Sequence, residues 1–204
     1  MSDASKAEIR ASLITARRAV PEAVRAEEAR RLADHLEEVV GGAPAVCAYL
    51  PVGTEPGGTA LLDRLAELCD EVLLPVARIG SDGDHLPLMW GRYTAGTPGG
   101  LVEAGFGLRE PAGPWLPAGE VARIQVILVP ALAVDRAGVR LGRGGGFYDR
   151  SLALCAPGSR LVAVVRDSEI VEELPREPHD VLMTHALAPE AGLVALGGRA
   201  PIGE

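Results

Sequence analysis

The chain has 204 residues, 48% hydrophobic and 24% charged, with a formal net charge of −8. That is an ordinary globular balance, large enough to bury a core without a metal or disulfide staple. The acidic excess argues against a general binder of nucleic acid or anionic membrane, and leaves room for a local basic site. Cys47, Cys69 and Cys155 are widely spaced with no C-x-x-C, which fits a reducing cytoplasm and neither a disulfide scaffold nor a zinc site. No apolar h-region opens the sequence and no apolar run reaches membrane-span length, so a cytoplasmic protein without a membrane partner is expected.

In chain order, Ser5-Lys6-Ala7-Glu8 has the form of a capping box and starts a helix, although Ser2 or Asp3 offers an earlier start. Lys6, Arg10, Leu13 and Arg17 follow at steps of four, three and four and share one helical face. Pro21 suits a first helical position, and a second helix is expected from Glu22 to Val40, closed by Gly41-Gly42. Ala45 to Leu50 reads as a buried strand, Pro51 to Gly58 as a turn, Thr59 to Leu68 as a helix, and Glu71 to Val76 as the second strand. A weaker strand is expected over Leu86 to Trp90, and irregular chain from Gly91 to Gly119. Gln125 to Val129 is the clearest buried strand. After a glycine run come a short helix from Phe147 to Arg150, a strand from Leu161 to Val165, and a last short strand at Val181 to Met183. The tail from Pro189 reads as peripheral.

Strands alternating with helices imply an α/β protein: one three-layer domain over residues 1–204, with a central, mostly parallel sheet flanked by helices. Such sheets bind ligands at the carboxyl ends of their strands, which points to the turns after Leu50 and Val129.

The densest chemical signal follows that clearest strand: Arg140-Leu141-Gly142-Arg143-Gly144-Gly145-Gly146-Phe147-Tyr148-Asp149. From Arg136 to Arg150 four arginines outweigh Asp149 by three charges. Glycines let backbone approach a ligand, and guanidinium forks suit phosphate oxygens. Phe147 and Tyr148 offer flat faces for stacking, and Asp149 suits a magnesium ion that bridges phosphates. The bland reading is a flexible loop with solvated arginines. The dinucleotide G-x-G-x-x-G fails, because Phe147 stands at its third glycine. Lys6 is the only lysine and follows no glycine-rich loop, which removes a Walker phosphate loop.

Other candidates are weaker alone. Glu55 suits the N–H donors of a heterocycle, or is a solvated loop acid or first-turn partner of Thr59. Lys6 and Arg10 form a cationic face that by itself is a surface stripe. His179-Asp180 has the form of a base and its orienter, or of a plain loop. His35 and His85 read as surface residues.

Six blocks of the chain together resemble the 5-formyltetrahydrofolate cyclo-ligase family. Arg140 to Asp149 resembles its R-L-G-R-G-x-G-Y-Y-D signature, Lys6 and Arg10 its K-x-x-x-R, and Tyr49-Leu50-Pro51 with Glu55 and Thr59 its Y-x-P…E-x-x-T. Gly105 to Pro111 is similar to its G-x-x-G-I-x-E-P block, Val129 to Asp135 to its V-P-G-L-A-F-D, and Leu174-Pro175 with His179-Asp180 to its late L-P…H-D. Phe147 stands for the first tyrosine of the signature, and Thr184 for an aspartate four residues after Asp180. The resemblance implies the three-layer α/β fold and conversion of 5-formyltetrahydrofolate and ATP, with Mg2+, to 5,10-methenyltetrahydrofolate, ADP and phosphate. It further implies ATP binding by Lys6, Arg10 and the run Arg140, Leu141, Gly142, Arg143, Gly144, Gly145, Gly146, Phe147 and Tyr148. Folate would be lined by Leu50, Glu55, Arg143 and Gly144 to Phe147, with Asp149 as metal ligand and Arg143 and Tyr148 at the reacting centre. Small-molecule partners are therefore expected, with a monomer favoured. The alternative is a non-catalytic phosphoanion-binding or regulatory module using the same loop, since fold alone does not separate the two; a third reading is a sugar-phosphate isomerase-like enzyme that needs no ATP.

Overall fold

A computed structural model describes residues 5–95, 100–103 and 109–197. Its central sheet has seven strands in the order β12-β11-β9-β6-β1-β2-β3. These are β1 (Ala45–Cys47), β2 (Glu71–Val76), β3 (Met89–Arg92), β6 (Val126–Pro130), β9 (Arg160–Val164), β11 (His185–Ala188) and β12 (Gly192–Ala195). The five inner strands run parallel. The two edge strands, β3 and β12, are antiparallel to their neighbours.

Period-two alternation explains the layers. Along β6, Val126 and Leu128 face one core, and Ile127 and Val129 the other. The first core is closed by α2 (Glu22–Asp34), α3 (Leu36–Val40) and α4 (Thr59–Leu68), through Leu32, Leu36, Val39, Leu61, Leu62 and Leu65. The second is closed by a 3-10 helix at Ala118–Arg123, through Val121, and by α5 (Phe147–Leu152), through Leu152. Helices on both faces of a mostly parallel sheet make a three-layer α/β fold.

A smaller sheet, β10-β7-β8, comprises β10 (Ile170–Val171), β7 (Ala133–Asp135) and β8 (Arg140–Leu141). Its core of Ala133, Val139, Leu141 and Leu174 receives Ile9 and Leu13 of α1 (Lys6–Ala19). The capping box forms as the sequence predicts: Glu8 N–H donates to Ser5 Oγ at 3.4 Å, and Ser5 N–H to Glu8 Oε2 at 2.9 Å.

Several expectations need correction. Pro21 is the N-cap of α2, not its first residue. The helix expected from Glu22 to Val40 breaks at His35, whose Nε2 lies 3.1 Å from the Pro189 carbonyl. The strand expected to reach Leu50 ends at Cys47, and the one expected at Leu86 starts at Met89. The stretch from Gly91 to Gly119 holds a hairpin of β4 (Leu101–Glu103) and β5 (Arg109–Pro111). The last inner strand lies at His185–Ala188, not Val181–Met183, and the supposedly peripheral tail forms the edge strand β12. Ala186 and Ala188 carry little intrinsic strand preference; pairing with β9 and β12 for Ala186, and with β12 for Ala188, decides their conformation. Among the described residues no helix is long and apolar enough to cross a membrane.

Candidate active site

The sheet order puts β1 beside β6, and chain connections run outward in opposite directions from that line. Loops leaving adjacent strands diverge at such a point and open a crevice at the carboxyl ends. A cavity of about 630 Å3 lies there. Its walls include the turn after β1, with Tyr49, Leu50, Val52 and Glu55; the turn after β6, from Pro130 to Leu132; the glycine loop; and the face of α1 that carries Lys6, Arg10 and Arg17. Both turns indicated by the sequence therefore face one cleft.

The glycine loop leaves β8 and enters α5. Gly144 has φ +97° and Gly146 φ +68°, a region that L side chains occupy only with strain. The loop is held from outside. Arg10 Nε donates to the Gly142 carbonyl at 2.9 Å, and His85 Nδ1 is hydrogen-bonded to the Gly145 carbonyl. The His85 ring stacks on Phe147 with centroids 4.2 Å apart and planes 8° from parallel. His85 is thus part of the cleft wall rather than the exposed residue expected, and His35 is likewise half-buried.

Arg140 is buried. Its Nη2 donates to Asp149 Oδ1 at 2.8 Å and its Nη1 to the Pro130 carbonyl at 3.2 Å, while its Nε has no partner among the described residues. The Tyr148 hydroxyl, also buried, is likewise unpartnered. Burial, reinforced by the negative charge of Glu55, pushes the Tyr148 phenol well above its usual range, so it stays a neutral donor. Unpaired buried donors are rare and call for an explanation.

Arg143 is half-exposed and reaches across the cleft. Its Nε donates to Glu55 Oε1 at 2.9 Å, and Glu55 Oε2 accepts the Val52 N–H at 2.9 Å. Glu55 is therefore a fixed, nearly buried carboxylate, not a solvated loop acid, and the N-cap of α4 is Gly58.

Lys6 lies at the mouth, 3.0 Å from Asp180 Oδ2 and 3.3 Å from Glu177 Oε1. Burial works against ionising Asp180, but the Glu177 N–H and the Lys6 ammonium outweigh it and hold that carboxyl below its usual range. His179 and Asp180, whose sequence favours a plain loop over a base and its orienter, line the cleft.

Of the residues singled out from sequence, Lys6, Arg10, Leu50, Glu55, Arg140, Gly142 to Gly146, Phe147, Tyr148 and Asp149 all line this cavity. Leu141 does not: its side chain is buried in the small core with Ala133, Val139 and Leu174. Thr184 sits apart, its hydroxyl accepting the Leu161 N–H at 2.9 Å and donating to the Leu161 carbonyl at 3.1 Å, which staples the chain before β11 to β9. Sequence reasoning gave no role to Arg17, Tyr49, Arg109 or Glu110, which also line the cleft. For Arg17 the signal was present, as the fourth member of the Lys6 face. Glu110 accepts the Ala77 N–H and an Arg78 N–H, each at 2.8 Å. The preceding part of its sequence block, Gly105 to Leu108, lies outside the described residues.

The sequence profile of the 5-formyltetrahydrofolate cyclo-ligase family matches residues 2–189. The chain is 57% identical over 196 residues to a 5-formyltetrahydrofolate cyclo-ligase of Mycolicibacterium smegmatis, covering 96% of this chain and 100% of that one. It is 30% identical over 148 residues to the Escherichia coli 5-formyltetrahydrofolate cyclo-ligase, covering 72% and 79%. In fold it is similar to Aquifex aeolicus 5,10-methenyltetrahydrofolate synthetase, with TM-score 0.76 and 23% identity over 98% of this chain and 96% of the other. With Mycoplasma pneumoniae 5,10-methenyltetrahydrofolate synthetase the TM-score is 0.69 and the identity 15%, over 92% and 100%. On the extent of the profile match and the identity to full-length relatives, this chain belongs to the 5-formyltetrahydrofolate cyclo-ligase family of enzymes.

Proposed function

We propose that ATP and 5-formyltetrahydrofolate meet in this cleft and that the chain closes the methenyl ring there, releasing ADP and phosphate. The carrying observation is the 2.9 Å contact between Arg143 and Glu55. It joins the cation-rich loop, suited to phosphates, to the carboxylate suited to a heterocycle, so both substrates fit one site.

On this reading Lys6, Arg10, Arg140, Arg143 and the Gly142 to Gly146 backbone surround the phosphates, where guanidinium forks match phosphate oxygens. Leu141 contributes by leading the chain into the loop, not by touching nucleotide. Glu55 and Leu50 face the pterin, with Glu55 accepting ring N–H donors. Phe147 provides a flat face, already used by His85. Tyr148 Oη and Arg140 Nε, buried and without a partner among the described residues, are donors in reserve for oxygen atoms arriving at the reacting centre.

The chemistry follows from the formamide oxygen being a poor leaving group. That oxygen attacks the γ-phosphorus, the β,γ-bridging P–O bond breaks, and ADP departs. The N10 lone pair then attacks the formyl carbon and closes the five-membered ring. N10 releases its proton, the N5 lone pair expels phosphate, and the original formyl oxygen leaves in it. The protein's task is to hold N10 and the γ-phosphate against the formyl group and to neutralise charge.

The residues fit a magnesium ion. Asp149 Oδ1 is engaged by Arg140, which leaves Oδ2 as the oxygen that would hold the metal. Magnesium needs only one or two carboxylates and takes its other ligands from phosphates and water, whose charge it offsets. Thr184, turned into its bond with Leu161, is not needed as a ligand. Buried thiols at Cys47 and Cys69 suit the reducing cytoplasm in which we infer the reaction takes place.

The test is to follow methenyl-folate formation and ADP release with and without each substrate. Folate-dependent ATP consumption in a one-to-one ratio with methenyl product is expected. ATP binding without turnover would instead support the phosphoanion-binding module.

A further inference from the structure

Running back from the cleft wall, where Arg17 stands, is a cluster of four charged side chains that the reaction does not consume. Arg17, on the last turns of α1, is 2% exposed. Its Nε and Nη2 donate to the two carboxylate oxygens of Glu169, both at 2.7 Å, and Nη2 also donates to the Ala131 carbonyl at 2.6 Å. Glu169 Oε2 accepts the Arg166 N–H at 2.8 Å. The Arg166 guanidinium, 7% exposed, donates through Nε to Glu28 of α2 at 2.8 Å and through Nη1 to the Thr54 carbonyl at 3.3 Å. Two guanidinium groups and two carboxylates thus tie α1, the turn after β6 and the turn after β1 to one another.

The cluster is a poor device for stability. Burying Arg17, Glu169 and Arg166 carries a large desolvation cost, and apolar residues of similar volume often serve a fold as well. Arg166 Nη2 adds a buried donor with no partner among the described residues. What the cluster does well is fix distances. Arg17 shares its helix face with Arg10, two turns earlier, and Thr54 immediately precedes Glu55. Moving either wall would break charge-assisted bonds, of which the Arg17–Glu169 pair is buried.

We propose that Arg17, Glu169 and Arg166 are positioning residues: through them the α1 cations and the Glu55 turn are held at the spacing that admits both substrates at once. Arg17 sets α1, and hence Arg10, against the glycine loop. Arg166 sets the Thr54 carbonyl, and hence Glu55. The inference rests on the reading above that Arg10 serves ATP and Glu55 serves the folate.

The experiment uses the full chain and two variants chosen to avoid stranding a buried charge. R17Q combined with E169Q removes both partners of one pair. R166K keeps a cation for Glu28 but lacks the second arm that reaches Thr54. The first is expected to raise the KM for ATP roughly tenfold, the scale of one lost charged hydrogen bond, and the KM for folate less. The second is expected to raise the folate KM by about the same factor and the ATP KM by less than about threefold. In both, kcat stays within about threefold of the parent, because no group touching the reacting atoms is removed. A merely structural cluster would lower the unfolding temperature and leave both KM values of the folded enzyme unmoved, and that result overturns the proposal. R10A and E55Q serve as controls in the same assay. If they shift the ATP and folate KM values while the cluster variants do not, positioning alone is refuted. If R10A leaves ATP and E55Q leaves folate unaffected, the reading of the cleft fails, and this inference with it. Should the double variant not fold, R166K carries the test by itself, since its predicted split between the two KM values is independent.

Discussion

Two segments bring cations to the cleft, and they are held in opposite ways. The helix α1 carries its own order in a capping box at Ser5 and Glu8 and in the regular spacing of Lys6 and Arg10, to which the buried Arg17–Glu169 pair adds one long-range anchor. The glycine loop from Gly142 to Gly146 relies on support from elsewhere. Its carbonyls are taken by Arg10 and His85, its arginine by Glu55, and the preceding Arg140 by Pro130 and Asp149. A helix aligns side chains through its own hydrogen-bond ladder, whereas a run of glycines gains close approach to a ligand by giving up local preference. The loop therefore supplies ligand chemistry and the helix supplies the frame.

The largest effect is expected of R143A. The side chain is half-exposed, so the variant should still fold, at a cost of about 1–2 kcal/mol for leaving the nearly buried Glu55 without its cation. Turnover should fall below detection, because Arg143 is the side chain that ties the cation-rich loop to Glu55 across the cleft. A normal rate in the product assay would show that the loop's own arginine is dispensable.

R10A severs the helix from the loop. Loss of its bond to the Gly142 carbonyl, together with a phosphate contact, should weaken ATP binding by tenfold to a hundredfold, from about 1.5–3 kcal/mol for a charged hydrogen bond. Equilibrium titration with ATP checks this; unchanged affinity would mean that α1 only packs.

E55Q should raise the folate KM several-fold more than the ATP KM, because the amide exchanges an acceptor for a donor. An equal loss for both would reduce Glu55 to a support for Arg143.

D149N should raise the magnesium concentration giving half-maximal rate, while T184A, which removes the staple to β9 and a contact with His185 away from the cleft, should leave it nearly unchanged. An unaltered magnesium requirement in D149N would reduce Asp149 to the partner of Arg140.

The smallest effect sharpens the contrast. S5A removes the cap of α1 and should cost on the order of 1 kcal/mol of stability, read by thermal unfolding, with ATP affinity nearly intact because Arg17 still anchors the helix. A large loss of ATP affinity would show that the cap, not the buried pair, sets the helix.

Much of this was legible in advance because it depends on neighbours in sequence. The face shared by Lys6, Arg10, Leu13 and Arg17 follows from helical period alone, and the alternation in β6 follows from strand period. The glycine-arginine run announced its chemistry by composition, and the resemblance of its six blocks named the family that the profile match establishes. His85 was not legible: its partners Gly145 and Phe147 lie some 60 positions away, and a lone histidine in a polar hairpin carries no local mark of burial.

By itself, the sequence determined the α/β class, the cap of α1, the loop with its excess of three positive charges, and the turns after β1 and β6 as the place to look. Only the tertiary structure decided that Leu141 belongs to a core, that Thr184 staples two strands, and that Arg143 meets Glu55 across the cleft. It also decided that Ala186 and Ala188 form a strand and that Arg17 is buried against Glu169. The reason is one of range. Period and propensity act over a few residues, whereas the partner of a charge or of a strand edge is selected by sheet order, which sets β1 beside β6 and so joins segments far apart in the chain.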